Sequence, residues 1–211
     1  PKPYAPIGDH RIVDWLLAAQ RHAGIDDIVF VGGYRLDLVQ RAYPALTFLH
    51  NADRADTNIL ASPMCADDCM EDGFVVTYAD ILYRPEVVQR AIEHPGDRVL
   101  CVDTQWRQRY ADRTQHPEDD AEKVIAEADR IAQVSRRIDS ADAHGEYIGV
   151  ARFSAEGARS LRAAYHDVRA RVGDGDWKGA PFRKAYLIRL YEEMLDMGLD
   201  FHMVTTDGQY M

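Results

Sequence analysis

Residues 73–80 read Gly-Phe-Val-Val-Thr-Tyr-Ala-Asp. A short run of β-branched and aromatic side chains with no polar alternation predicts a strand buried on both faces. Asp80 stands where that strand ends. The flanks decide what kind of sheet it belongs to. "PEVVQRAIEH" (85–94) carries proline at the first turn of a helix, and "RVLCVDT" (98–104) returns to a buried strand. Upstream, "TNILASPMCADDCM" (57–70) predicts a helix with Thr57 or Asn58 as its N-cap. "LTFLH" (46–50) is a strand, "RLDLVQRAY" (35–43) a helix, and "DDIVFVGGY" (26–34) a strand entering a Gly-Gly turn. Before these, Ile12, Trp15, Leu16, Ala19 and Ala23 recur at helical spacing until Gly24 stops the pattern. Strands alternating with helices at this pace predict an α/β fold with a parallel sheet and right-handed crossovers.

The rhythm changes after residue 104. Residues 105–124 are polar, aromatic and charged without clear period. "KVIAEAD" (123–129) and "RIAQVSRRI" (130–138) predict a small antiparallel insertion, and "GEYIGVARFS" (145–154) a strand after it. Two amphipathic helices, near 155–172 and 181–197, flank the turn-rich "GDGDWKGA", and "LDFHMVTTDG" (199–208) supplies a last strand. Neither repeats nor low-complexity segments interrupt the chain, so one domain over 1–211 is expected.

The chain of 211 residues, 46% apolar and 28% charged, suffices for one sizeable core. Net charge is −10, with a pI near 5.2. Such an acidic surface argues against nucleic acid as a partner, because phosphate contacts need clustered Lys and Arg. A small anionic substrate in a locally basic pocket is compatible with it. No run approaches the ~18 consecutive apolar residues of a membrane span. Cys65, Cys69 and Cys101 are an odd count without metal-ligand spacing. They read as reduced thiols, with Cys65 and Cys69 buried on one helix face, in a cytoplasmic protein.

In an open α/β sheet, ligands bind beyond the carboxyl ends of the strands. Asp80 occupies that position, and Gly32, Gly33, His50, Asn51, Asp103 and Thr104 punctuate the other strand exits. A lone carboxylate there suits Mg²⁺, which takes one or two carboxylates with phosphate oxygens and water. The alternative is that Asp80 caps the helix beginning near Pro85. The acidic pairs at 67–68 and 119–120 and the Asp174–Asp176 turn read as solvated surface. Tyr191 and Met194 have core spacing, and Trp106 reads as core, with an aromatic wall against a cationic head group as its alternative.

Several segments together resemble the nucleotidyltransferase superfamily. "PKPYAPIG" (1–8) resembles the second half of its N-terminal signature, with Lys2 on the family's lysine. "AGIDDIVFVGGY" and "TYADILY" resemble its next helix–strand unit and its metal-binding strand. "NADRADTNILASP" and the block Trp106-Arg-x-x-Tyr-x-x-Arg-Thr-x-His-Pro117 are similar to phosphocholine and phosphonate cytidylyltransferases, including domains associated with phosphoenolpyruvate mutase. The resemblance implies a three-layer, Rossmann-like (GT-A-like) fold with a mostly parallel central sheet. It implies CMP transfer from CTP to a small phosphonate, such as 2-hydroxyethyl- or 2-aminoethylphosphonate, with release of pyrophosphate. Phosphocholine, another phosphate monoester or a sugar phosphate is the alternative acceptor, and a nucleotide-binding regulatory domain the non-enzymatic one.

The resemblance also implies roles. Lys2, Asp80 and Lys123 are the catalytic candidates, with Asp80 holding Mg²⁺. Lys123 is aligned despite Val124 replacing the family's proline. Asn51, Thr57, Asn58 and Ser62 would face the nucleotide, although Thr57 and Asn58 serve equally as caps. Arg109, Arg113, His116 and Glu146 would face the acceptor, one arginine gripping its anionic head and the other pairing with Asp119, Asp120 or Glu122. The family's Gly-rich loop would lie before Pro1 and its second acidic motif after Met211. A fused or partner phosphoenolpyruvate mutase domain, a bifunctional chain and a homodimer are left open.

Overall fold

A computed structural model describes residues 1–110 and 117–211. A short ladder, β1 (Pro6–Ile7) with β2 (His10–Arg11), turns through Gly8 at φ +60° and leads into α1 (Ile12–His22). β3 (Val29–Gly32), α2 (Leu36–Ala42) and β4 (Thr47–His50) form a strand–helix–strand unit, with β3 and β4 parallel in register Val29–Thr47 through Gly32–His50. Next come a four-residue helix α3 (Ala61–Met64), β5 (Gly73–Thr77), α4 (Pro85–Glu93) and β6 (Arg98–Asp103).

After the short helix α5 (Trp106–Tyr110), β7 (Lys123–Glu127) and β8 (Arg130–Ser135) form the expected antiparallel excursion. β9 (Gly145–Ser154), α6 (Ala155–Val172), the ladder β10 (Asp176–Trp177) with β11 (Ala180–Pro181), α7 (Leu187–Asp196) and β12 (His202–Thr206) complete the chain.

The sheet is mixed, which corrects the expectation of a mostly parallel one. Six strands lie in the order β5-β9-β6-β12-β8-β7, and the parallel neighbours among them are β12 and β6. Strand β9 explains the difference. It runs antiparallel between β5 and β6, with Val75 opposite Arg152 and Val99 opposite the same residue on its other side. Being enclosed on both edges, β9 is buried almost throughout, and a buried run reads the same whichever way its neighbours point.

The pair β3–β4 stands apart as its own sheet. Between β3 and β5 lies a cavity of about 1040 Å³ walled by Val29, Val31, Val75 and Val76.

Three local expectations also change. The segment 57–70 folds as α3 and a 3₁₀ turn Asp67–Cys69 rather than one helix. Pro63 inside it has no N–H to give, and the Asn58 N–H goes to the Arg183 carbonyl at 2.9 Å instead of into a helix. Leu60 therefore occupies the N-cap, not Thr57 or Asn58. Cys65 and Cys69 are exposed, while Cys101 is buried. The last helix begins at Leu187, after a 3₁₀ turn Phe182–Lys184. Helix α6 is capped by Ser154, whose hydroxyl accepts the Gly157 N–H.

The main core gathers β5, β6, β9, α6 and α7 around Phe153, Tyr191, Met194 and Phe201. A second cluster joins α1 and α4 to the other face through Leu16, Val87, Val99 and Ile148. Trp106 is buried with Tyr110, the core placement expected for it.

Candidate functional site

The fold brings Lys2 and Asp80 together across 78 residues of chain. Lys2 Nζ lies 3.1 Å from Asp80 Oδ2. Lys2 belongs to a 3₁₀ turn, Lys2–Tyr4, held against the start of α1. The Arg11 guanidinium stacks 3.7 Å from the centre of the Tyr4 ring, and the Ile12 N–H donates to the Ala5 carbonyl at 3.1 Å. Asp14 fixes the junction by accepting the Arg11 N–H at 2.7 Å and the Tyr43 hydroxyl at 2.7 Å. The prolines at 1 and 3 thus sit in a turn that aims the lysine between them.

Asp80 lies in the turn after β5, and the N-cap of α4 is Arg84, without any side-chain cap bond. The capping alternative for Asp80 is therefore excluded. Its carboxylate is 37% exposed and that of its partner lysine's side chain 83%. An exposed pair of this kind is worth ~0–1 kcal/mol and exchanges readily for other ligands.

Asp80 shares the carboxyl-end mouth of the cavity with Ser62 and Thr77. Ser62 joins a small polar knot, in which the buried Asn51 amide donates to Thr57 Oγ1 at 3.3 Å and to Ser62 Oγ at 3.2 Å. The Asn51 N–H donates to the Gly32 carbonyl at 2.8 Å, tying the exits of β3 and β4 together. Three of the four predicted nucleotide-facing residues thus form one unit. Asn58 does not join it: its side chain donates to the Lys184 carbonyl at 3.2 Å and straps this segment to the 182–184 turn.

The acceptor candidates fall into a second group, deeper and drier. Asp103, fully buried, accepts from Arg109 Nε at 2.9 Å, from the Gln105 N–H at 3.2 Å and from the Gly208 N–H at 3.1 Å. Arg109 also stacks on Tyr210, 4.5 Å from the ring centre. Its expected carboxylate partner was Asp119, Asp120 or Glu122, but Asp103 holds it; Asp120 pairs with Arg136. Glu146 accepts from the hydroxyls of Tyr110 and Tyr210. Lys123 is buried, opposite Glu146 in the β7–β9 ladder, and its ammonium donates to the Arg136 carbonyl at 2.9 Å. Arg113 and His116 lie outside the described residues.

Sequence reasoning missed Glu122. It lies beside Lys123, accepts the Tyr78 hydroxyl at 3.0 Å, and is pushed up to about 7 by burial, with Glu146 adding to the shift and Tyr78 and Arg136 opposing it. Burial likewise raises the Tyr78 and Tyr147 phenols well above their usual range. No motif marks Glu122, because its partner Tyr78 is 44 residues away.

Both described ends of the chain reach the Asp80 turn. The Met211 N–H donates to the Leu82 carbonyl at 2.7 Å, the Arg84 N–H to the Gln209 carbonyl at 3.0 Å, and Tyr83 bridges Tyr210.

Residues 1–172 match the family described as the MobA-like NTP transferase domain. A curated relative, the CTP:phosphoglutamine cytidylyltransferase of Campylobacter jejuni, is 25% identical over 222 residues, covering 100% of this chain and 86% of its own. Among solved structures, the inositol-1-phosphate CTP transferase of T. maritima superposes with a TM-score of 0.75 at 15% identity, covering 100% of this chain and 78% of that one. The CTP:phosphocholine cytidylyltransferase of Streptococcus pneumoniae gives 0.72 at 17% identity, covering 99% and 82%. The fold is therefore that of the nucleotidyltransferases.

Proposed function

Because the chain belongs to the MobA-like NTP transferase domain family, we propose that it transfers a cytidylyl group from CTP to a small acceptor ending in a phosphate or phosphonate, releasing pyrophosphate. The observation that carries this reading is the Lys2–Asp80 pair at the carboxyl-end mouth beside Ser62 and Thr77. The three similar enzymes are CTP-dependent transferases of phosphoglutamine, inositol 1-phosphate and phosphocholine, which supports the base and the acceptor class. A 2-hydroxyethyl- or 2-aminoethylphosphonate presents the same attacking atom, an anionic oxygen on phosphorus, and belongs in the same class.

The reaction joins two anions, so charge must be neutralised and the partners aligned in line. Lys2 reaches the α-phosphate as a compact cation on a flexible stem once its bond to Asp80 is exchanged for phosphate oxygens. Asp80 is the residue that would hold Mg²⁺: one accessible carboxylate beside room for phosphate and water suits that ion. Bound there, Mg²⁺ supplies charge neutralisation across the phosphates. The knot of Asn51, Thr57 and Ser62 orients hydroxyls toward the nucleotide, Asn51 acting through its two neighbours. Arg109 and Lys123, committed to Asp103 and the Arg136 carbonyl, position the acceptor wall. Arg113 and His116 are assigned to the acceptor's anionic head by resemblance, and Glu146 borders its tail.

Pyrophosphate release tests the proposal, with CTP, UTP, ATP and GTP each offered against phosphocholine, inositol 1-phosphate, phosphoglutamine, 2-aminoethylphosphonate, 2-hydroxyethylphosphonate and glucose 1-phosphate. Turnover with CTP and at least one of the first five is expected. Turnover with UTP and the sugar phosphate alone would overturn it.

A further inference from the structure

We propose that His94, Asp129 and His202 form a binding site for one divalent transition metal ion, Zn²⁺ by preference, at the end of the sheet opposite Asp80. His94 is the C-cap of α4, Asp129 lies in the β7–β8 turn, and His202 opens β12. Chain direction fixes the location. β12 and β6 run parallel, and His202 pairs with Val99 at their start, whereas Thr206 and Asp103 lie together at their other end.

The donor atoms converge from three elements. Asp129 Oδ2 lies 3.1 Å from His94 Nε2 and 3.4 Å from His202 Nδ1, and all three donors fall within 4.8 Å of one another. Neighbouring ligands of a tetrahedral ion with bonds of about 2.0–2.1 Å stand roughly 3.4 Å apart. The two edges at Asp129, 3.1 and 3.4 Å, lie close to that length, and an imidazole rotation would close the third from within 4.8 Å.

A second observation singles out the same point. His202 Nδ1 is buried and makes no hydrogen bond, although it faces the Asp129 carboxylate. The contact is an ion pair short of a well-formed hydrogen bond, and a cation between the nitrogen and the carboxylate would satisfy both. Gly96 shapes the pocket: a Cβ there would meet His202 Cδ2 at 2.5 Å, so the imidazole packs directly on glycine backbone.

Two imidazoles with one carboxylate favour a borderline ion such as Zn²⁺ over Mg²⁺, which prefers oxygen donors. The His94 ring must change tautomer to ligate. Its Nδ1 accepts the Gly96 N–H at 3.0 Å, which places the ring proton on Nε2. On binding, that proton moves through solvent to Nδ1, and the Gly96 N–H turns to water. One backbone hydrogen bond is small against three metal–ligand bonds. The ion would clip the β7–β8 hairpin to the parallel pair β6–β12, where β8 otherwise meets β12 at His202 and Arg130.

Calorimetric titration of the full chain with ZnCl₂ in the absence of nucleotide tests this, with Co²⁺ absorption as a second readout. One equivalent bound at micromolar or tighter Kd, a tetrahedral Co²⁺ spectrum, and a Zn²⁺-dependent rise in Tm are expected. His202→Ala and the exposed-site variant Asp129→Asn should each weaken binding at least tenfold, and Asp80→Asn should leave it unchanged. Absence of binding below about 100 μM, or equal binding by wild type, His202→Ala and Asp129→Asn, would overturn the site. Neither result bears on the transferase reading, whose residues lie at the other end of the sheet.

Discussion

Asp80 and Asp103 both follow apolar strands that end on the same side of the molecule, yet they live in different media. Asp80 meets one lysine at the open mouth of a cavity, with about a third of its side-chain surface open to water. Asp103 is closed off and accepts from a guanidinium and two backbone N–H groups. A solvated pair holds little energy and can trade partners, which suits a ligand site. A buried, fully bonded carboxylate costs much to disturb and suits a scaffold. The same residue type thus divides between chemistry and architecture according to what surrounds it.

Breaking the buried member should have the largest effect. Asp103→Ala leaves Arg109 without its partner and two N–H groups without an acceptor, so a loss of about 3–5 kcal/mol in urea unfolding is expected. Asp80→Asn should reverse the pattern, cutting turnover at least ~100-fold, about 2.7 kcal/mol of transition-state stabilisation, with Tm held within a degree or two. Unaltered turnover would remove Asp80 from the reaction.

Glu122 sharpens the comparison through pH. Its carboxyl is pushed up to about 7 in the folded protein, above the unfolded value of 4.5, so the folded state binds the proton more tightly. The stability it contributes is complete below pH 4.5 and is lost as pH rises through about 7. Glu122→Gln should therefore raise Tm by about 5 °C at pH 8.5 and by much less at about pH 4.5, measured by calorimetry. A smaller effect is expected for Lys2→Ala, whose unfolding free energy should shift by under ~1 kcal/mol while turnover falls at least ~10-fold.

The alternation of α1, β3, α2, β4, β5, α4 and β6 was legible because each element advertises its own period. Asp80 was legible because it interrupts an apolar run where a strand must stop. Strand β9 was visible as a strand, but its antiparallel place between β5 and β6 depends on partners about forty to eighty residues away, which periodicity does not encode. The pairing of Lys2 with Asp80 was foreshadowed only by resemblance. The partner of Arg109 was missed for a physical reason: Asp103 reads as one more polar strand exit until the fold closes over it. The residues at 67–68 show the same limit, since Asp67 is no free surface acid and binds both Arg162 and His166 of α6.

The cavity between β3 and β5 has a practical consequence. In the described residues β3 pairs with β4 and β5 with β9, so each turns its other edge toward the same hollow. Facing strand edges are templates on which a second chain can add. At neutral pH a net charge of −10 keeps copies apart, and near the pI of 5.2 that repulsion vanishes. Storage of concentrated protein is accordingly safest well above that pH, and the first sign of trouble on acidification should be strand-rich self-association rather than loss of the helices.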